Sequence, residues 1–183
     1  IVQINHRSPL LRKDLDTGAI VRVDVLSDGS YVPGNSAGSA TMSADGNVVV
    51  FQHDNTEFAG LEQFPGGSGH VYHKNLTTGE LQVVDIQPDG SASGLNAQGM
   101  VDVSDDGSVV VFSSGGHPQL DLQVTDMVSG ATNLGGIYAR DMNVSLGAPV
   151  ALVSDATDGN VVSGSNSVLS GDCLLYTSDA ADE

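Results

Sequence analysis

The chain has 183 residues, which is enough for one or two domains with a sizeable core. Its 23 acidic and 6 basic residues give a formal net charge of −17, and a surface this acidic repels phosphate backbones, so we expect no nucleic-acid partner. No run of 18 or more apolar residues occurs, which excludes a membrane-spanning helix, and 23 glycines with no tryptophan favour many short strands joined by turns.

A repeat of 61 residues organises the chain. Asp14–Phe51 aligns with Asn75–Phe112, and 17 of the 38 aligned positions are identical. A third, more divergent copy begins near Ile137 and stops at Asp172. We therefore divide the chain into a truncated N-terminal edge (1–10), a first blade repeat with an insertion at 52–69 (11–70), a second (71–136) and an incomplete third (137–172).

Each copy contains four β-rich runs separated by turn residues. In the second copy the predicted strands and turns are, in chain order, Val71–Leu76, Thr77–Gly79, Glu80–Gln87, Pro88–Gly90, Met100–Ser104, Asp105–Gly107 and Ser108–Ser113. The run Val109–Phe112 is apolar at every position, which predicts a strand buried on both faces. The sequence therefore predicts an all-β fold, a partial β-propeller of four-stranded antiparallel blades, with about two and a half blades present.

Two motifs recur in both complete copies: Asp/Asn-Leu-x-Thr-Gly, which an aromatic residue precedes by three positions in the second copy, then Ser-x-Asp-Gly-x-Val-Val-Val-Phe. They occupy Asp14–Gly18 and Ser43–Phe51 in the first copy, and Tyr72–Gly79 and Ser104–Phe112 in the second. This pattern resembles the TolB-like, WD-repeat-like β-propeller family over roughly residues 11–172.

The chain departs from that family at two points. The family's proline in Ser-Pro-Asp-Gly is replaced by Ala44 and Asp105, and the first copy lacks the usual aromatic strand before Asp14. The resemblance implies a complete ring of six to eight blades and an exported bacterial protein in the periplasm or outside the cell. Terminal blades of such a fragment have open edges and apolar faces, so we expect it to be marginally stable or to self-associate.

The last eleven residues, Cys173 to Glu183, are of a different kind. They resemble, residue by residue, a translation of the transposase adaptor used to prepare DNA sequencing libraries. We therefore treat 173–183 as an adaptor-derived segment, and the single cysteine of the chain lies within it.

Two motifs suggest chemistry but lack its context. Gly34–Gly38 matches G-x-S-x-G, but no helix follows it and the equivalent residues 95–99 contain no serine, so we interpret it as a glycine-rich loop. His70 and His73 form H-x-x-H, but on a strand they point to opposite faces and cannot chelate one metal ion. We expect no catalytic, cofactor-binding or metal-binding residues.

Aspartates recur in pairs at turns: Asp14/Asp16, Asp105/Asp106 and Asp155/Asp158. None of these turns supplies the full set of oxygen ligands that a calcium loop requires. Aspartate at turns also bonds its own backbone. We expect no cofactor, with weak calcium binding at an interstrand loop as the alternative.

The insertion at 52–69 is the part least like the repeat. Its Phe58, Leu61 and Phe64 either contact a partner protein or pack against the neighbouring blade. We predict a non-catalytic scaffold that binds a protein, and the acidic charge favours a basic or cation-bridged partner. The alternatives are a substrate-gating propeller of a larger hydrolase of the prolyl-oligopeptidase type and a cell-surface adhesion or structural repeat module.

Overall fold

The structure is a computed structural model, and it describes residues 9–31, 37–54, 69–86, 96–115, 136–144, 151–152, 167–169 and 175–177. All of its regular elements are strands. They are β1 Leu11–Lys13, β2 Ile20–Arg22, β3 Ala37–Met42, β4 Val48–His53, β5 His70–Asn75, β6 Leu81–Val83, β7 Asn96–Val103, β8 Val109–Gly115, β9 Gly136–Asp141, β10 Ala151–Leu152, β11 Ser167–Leu169 and β12 Leu175–Thr177. Within these residues no helix is long and apolar enough to cross a membrane.

The strands form four antiparallel sheets, each following chain order. Blade 1 is the pair β1–β2, blade 2 is β3-β4-β5-β6, blade 3 is β7-β8-β9-β10 and blade 4 is the pair β11–β12. Blades 2 and 3 are four-stranded meanders, which confirms the predicted all-β partial propeller.

The sheets are out of phase with the sequence repeat. The last two strands of the first copy, β3 and β4, pair with the first two strands of the second copy, β5 and β6. One sequence repeat is therefore shared between two blades. The covalent repeat thus spans a blade interface.

The apolar core lies between blades. All six side chains of β4 are buried, because one face of blade 2 packs on blade 1 and the other packs on blade 3. The cluster between blades 1 and 2 contains Val23, Val49, Phe51, Tyr72, Val83 and Ile86. The cluster between blades 2 and 3 contains Val48, Val50, Val71, Val84, Val101, Val103, Val110, Phe112 and Tyr138.

The Ser-x-Asp-Gly motif forms the turn between the first two strands of a blade. In blade 3 the Ser104 hydroxyl donates to Asp106 at 2.6 Å and accepts from the backbone N–H of Val109 at 2.9 Å. The backbone N–H of Ser108 donates to the same carboxylate oxygen at 2.9 Å. Ser43, Asp45 and their neighbours repeat the network in blade 2. The motif therefore recurs because it satisfies its own polar groups.

The pair β11–β12 places a strand inside the adaptor-like segment, with Leu169 opposite Leu175. Strand pairing does not depend on the origin of the residues. The adaptor origin of 173–183 stays a prediction.

Substitution of Gly107 tests the contact between the turn 104–108 of blade 3 and Val48 of blade 2. Its φ is +79°, and an added Cβ would lie 2.7 Å from Val48 Cγ2 of blade 2. We expect Gly107→Ala to lower the free energy of unfolding by about 3 kcal/mol, from left-handed strain plus overpacking. The matched control is Gly18→Ala, where φ is +75° and no atom lies within 4 Å; strain alone should cost about 1 kcal/mol there. If urea denaturation gives the same loss of unfolding free energy for Gly107→Ala and Gly18→Ala, the contact between Gly107 and blade 2 does not contribute to stability.

Substitution of Asp106 tests whether the hydrogen bonds of the turn 104–108 stabilise the fold against acid. Hydrogen bonds from the Ser104 hydroxyl and the Ser108 backbone lower the pKa of Asp106 to about 2. A lowered pKa stabilises the fold above the unfolded value, and that contribution is lost as pH falls from about 4 to about 2. We expect Asp106→Asn to make acid unfolding shallower in this window, whereas Asp105→Asn, at the exposed neighbouring side chain, should not. Circular dichroism during acid titration measures both.

Candidate functional site

The two ends of the blades differ in the length of their connections. At one end, blade 2 has two tight turns, 43–47 and 76–80; at the other end β4 and β5 are joined by residues 54–69. Blade 3 has the tight turn 104–108 and the nine-residue connection 142–150 at the first end, and the longer connection 116–135 at the second. We call the second end the loop end and the first the turn end.

A buried polar pair lies at the loop end, where the long connection returns to blade 2. His70 is the first residue of β5, and its Nδ1 lies 2.8 Å from Asp85 Oδ2. The other carboxylate oxygen of Asp85 accepts the backbone N–H of Val71 at 2.9 Å. Both side chains are fully buried, and His53 lies opposite His70 in the β4–β5 ladder.

The pair holds its protons more tightly than free side chains would. Burial disfavours the charged imidazole, but the hydrogen bond and negative charge of Asp85 outweigh it and raise the pKa of His70. Burial also raises the pKa of Asp85, against the hydrogen bond from His70. Both groups are buried, and the bond from the Val71 N–H to Asp85 ties the start of β5 to the segment after β6 at the loop end.

The two histidines of H-x-x-H take separate partners. His70 faces Asp85, whereas His73 Nε2 lies 3.0 Å from the carbonyl oxygen of Gly107 in blade 3. Among the residues that the structure covers, no group of three or more histidine, cysteine, aspartate or glutamate side chains has the arrangement of a metal site.

Two of the turn aspartates bond their own backbone. Asp14 Oδ1 accepts the N–H groups of Asp16 and Thr17 at 3.0 and 2.8 Å, and Asp106 accepts from its turn as described above. Asp155 and Asp158 lie outside the described residues, as do Gly34–Ser36 of G-x-S-x-G. Calcium binding stays a prediction.

The predicted partner-binding residues Phe58, Leu61 and Phe64 also lie outside the described residues. The structure does fix both ends of the segment that carries them. His53 and His70, which precede and follow this segment, lie opposite each other in the β4–β5 ladder, and both are buried. The segment is therefore anchored at the loop end.

Sequence reasoning missed Lys74, which joins blade 2 to blade 1. Its ammonium group donates to the carbonyl oxygens of Val25 at 3.3 Å and Leu26 at 3.0 Å, in the segment that follows β2. It also donates to Gly79 in its own blade at 2.7 Å. The side chain is buried, so these bonds replace water around the charge.

Arg140 joins blade 3 to blade 2 in the same way. It lies on β9, the third strand of its blade as β5 is of blade 2, and its Nη1 donates to the carbonyl oxygens of Val83 and Val84 at 2.7 and 2.8 Å. One signal was present in the sequence: Lys13 and Lys74 are 61 residues apart, at the same repeat position. We call Lys74 and Arg140 the interblade cations.

Comparison with known proteins supports the fold. The crystal structure of TolB from Acinetobacter baumannii is similar to this chain, with a TM-score of 0.51 and 16% sequence identity. The similarity covers 93% of this chain and 32% of that of TolB, so the chain spans about a third of TolB's length. No family model and no curated protein matches. The chain has a TolB-like β-propeller fold, as the two recurring motifs predicted.

Substitution of His70 tests the His70–Asp85 pair through the pH dependence of the free energy of unfolding. A raised pKa gives stability that is fully present below the unfolded value, near 6.5, and is lost as pH rises through the folded value. We expect the free energy of unfolding to fall above pH 6.5, and His70→Gln to flatten that slope. The control His73→Gln removes a histidine from the same strand and should leave the slope in place. Urea denaturation across this range, with an unchanged slope in His70→Gln, would contradict the assignment.

Proposed function

We propose that this chain is part of a non-catalytic protein-binding propeller whose binding surface is the loop end. The observation that carries this proposal is the unequal division of connections between the two ends of the blades. Long connections mounted on a rigid scaffold are where proteins place most of their binding residues. Phe58, Leu61 and Phe64 lie in one such connection.

The turn end is occupied by contacts between blades. The backbone N–H of Ala44 in blade 2 donates to the carbonyl oxygen of Asp105 in blade 3 at 3.0 Å. Gly107 of the same turn packs on Val48. Because changes there disturb the packing of blades, the loop end is the surface that can vary with a partner.

The partner we propose is a basic protein segment. The net charge is −17, and it is still −14 without the three acidic residues of 173–183 (20 acidic against 6 basic), so the chain attracts cations over long range and associates faster with a positively charged partner. The aromatic and aliphatic side chains at 58, 61 and 64 would supply the apolar centre of such an interface. The resemblance to TolB-like propellers further supports export to the periplasm or cell exterior.

Peptide selection tests the proposal directly. Peptides selected from a random library on the full chain should be rich in lysine and arginine, and their affinity should fall as salt rises. Hydrogen exchange should show protection at residues 53–70 and not at the turns 43–47 and 104–108. Replacing Phe58, Leu61 and Phe64 by serine should weaken binding about tenfold or more, as expected for central apolar contacts.

Matched controls separate this proposal from its rivals. Val144→Ser removes a half-exposed apolar side chain from the turn end and should leave binding unchanged. Protection confined to the turn end would contradict the assignment of the surface. Hydrolysis of ester or peptide substrates by the chain, lost in Ser36→Ala, would contradict the non-catalytic role.

A further inference from the structure

Blade 1 exposes on one face the side chains that blade 2 buries at the equivalent positions. Lys13 lies opposite Ile20 in the β1–β2 ladder, and Leu11 shares their face because alternate residues of a strand point the same way. Leu11 is 52% exposed and Ile20 is 62% exposed. We call this set, Leu11, Lys13 and Ile20, the outer face of blade 1; Arg22 lies on the same face opposite Leu11, and its guanidinium pairs with Asp24 at 2.8 Å.

The repeat shows what covers such a face. Sixty-one positions later stand Tyr72, Lys74 and Leu81, which also share one face, since Lys74 lies opposite Leu81 in the β5–β6 ladder. Tyr72 is fully buried and Lys74 is 3% exposed, and Leu81 packs against the same cluster. What buries them is blade 1.

Blade 1 covers them with two kinds of group. Val23 and Leu26 supply the apolar contact in the cluster between the blades. The carbonyl oxygens of Val25 and Leu26 accept the ammonium of Lys74. Both kinds of group come from the segment directly after β2, the last strand of the blade.

The next interface repeats the arrangement with different residues. Tyr138 of blade 3 is 3% exposed and packs in the cluster with Val84 of blade 2, and Arg140 donates to the carbonyl oxygens of Val83 and Val84. Two successive interfaces therefore use an aromatic residue, a cation two positions later and carbonyls of the preceding blade. On blade 1, the apolar residue and the cation are present as Leu11 and Lys13.

We propose that the outer face of blade 1 binds a further blade of this repeat type, and that Lys13 is a positioning residue that donates to the carbonyl oxygens after that blade's last strand. An anionic ligand would satisfy the ammonium but leave Leu11 and Ile20 in water. A blade of this type satisfies both, as blade 1 does for Lys74 and Leu81. The outer face of blade 1 would thus form a third interface of the same kind as the two already present.

Duplication of the chain's own repeat tests the proposal. Inserting a second copy of residues 10–70 before Leu10 of the full chain completes blade 1 with the duplicated β3 and β4, and sets the duplicated β1 and β2 against its outer face. We expect the rate of amine methylation of the original Lys13 to fall about tenfold, toward that of Lys74, because a buried ammonium reacts only when the interface opens. Ala19→Ser in the inserted copy distinguishes the two peptides by mass.

The inserted copy supplies the matched control, since its own Lys13 should stay as reactive as in the original chain. Replacing the original Lys13 by methionine should lower the free energy of unfolding of the extended chain. The same replacement should leave that of the original chain unchanged, a difference that general loss of structure would not produce. An original Lys13 that stays fully reactive in a cooperatively folded extended chain overturns the proposal.

A second measurement applies if the extended chain does not fold. The original chain should then self-associate through the same face, with sedimentation that depends on concentration. Ile20→Glu should abolish this association, while Val144→Glu at the turn end should not. A chain that stays monomeric, or that associates equally after Ile20→Glu, overturns the proposal.

Discussion

Burial of both faces of each blade is the constraint on which the rest of this structure depends. A strand such as β4, with every side chain buried, is stable only when other blades lie on either side of its sheet. A single four-stranded sheet with two apolar faces has no stable form in water. The covalent repeat strengthens this dependence, because each 61-residue unit contributes strands to two adjacent blades. Adjacent blades therefore depend on each other for their stability.

The interblade cations follow from that constraint. When two blades pack, the chain leaving the last strand of one is pressed against the other, and its carbonyl oxygens lose water. Lys74 and Arg140 supply donors there, and their long aliphatic stems add apolar contact. A buried charge is costly alone, but several backbone carbonyls around it offset much of that cost. These residues thus fix which part of one blade meets the next.

The parts of the structure that the sequence predicted are those in which neighbouring residues decide the outcome. Val109–Phe112 is apolar at every position and is a central strand, and Ser104–Gly107 satisfies its polar groups within one turn. The phase of the blades was not predictable, because β4 pairs with β5 across an insertion that breaks the repeat. The His70–Asp85 pair was missed for a similar reason, since it needs the register of β5 against the segment after β6. Asp85 is identical to Asp24 in the repeat, but Asp24 pairs with Arg22 instead.

The proposed function, with blade contacts at the turn end and partner binding at the loop end, would explain why so little of the function is visible in the repeat. The turn end repeats because its residues also make blade contacts, as when Ala44 donates to Asp105 and Gly107 meets Val48. A substitution there changes an interface, so the motif that marks the fold carries no information about a partner. The loop end escapes this restriction, since its connections leave strands whose ends are already held by His70 and Asp85. Residues free to differ from copy to copy are the ones that can match a partner, and they are also the ones a repeat cannot predict.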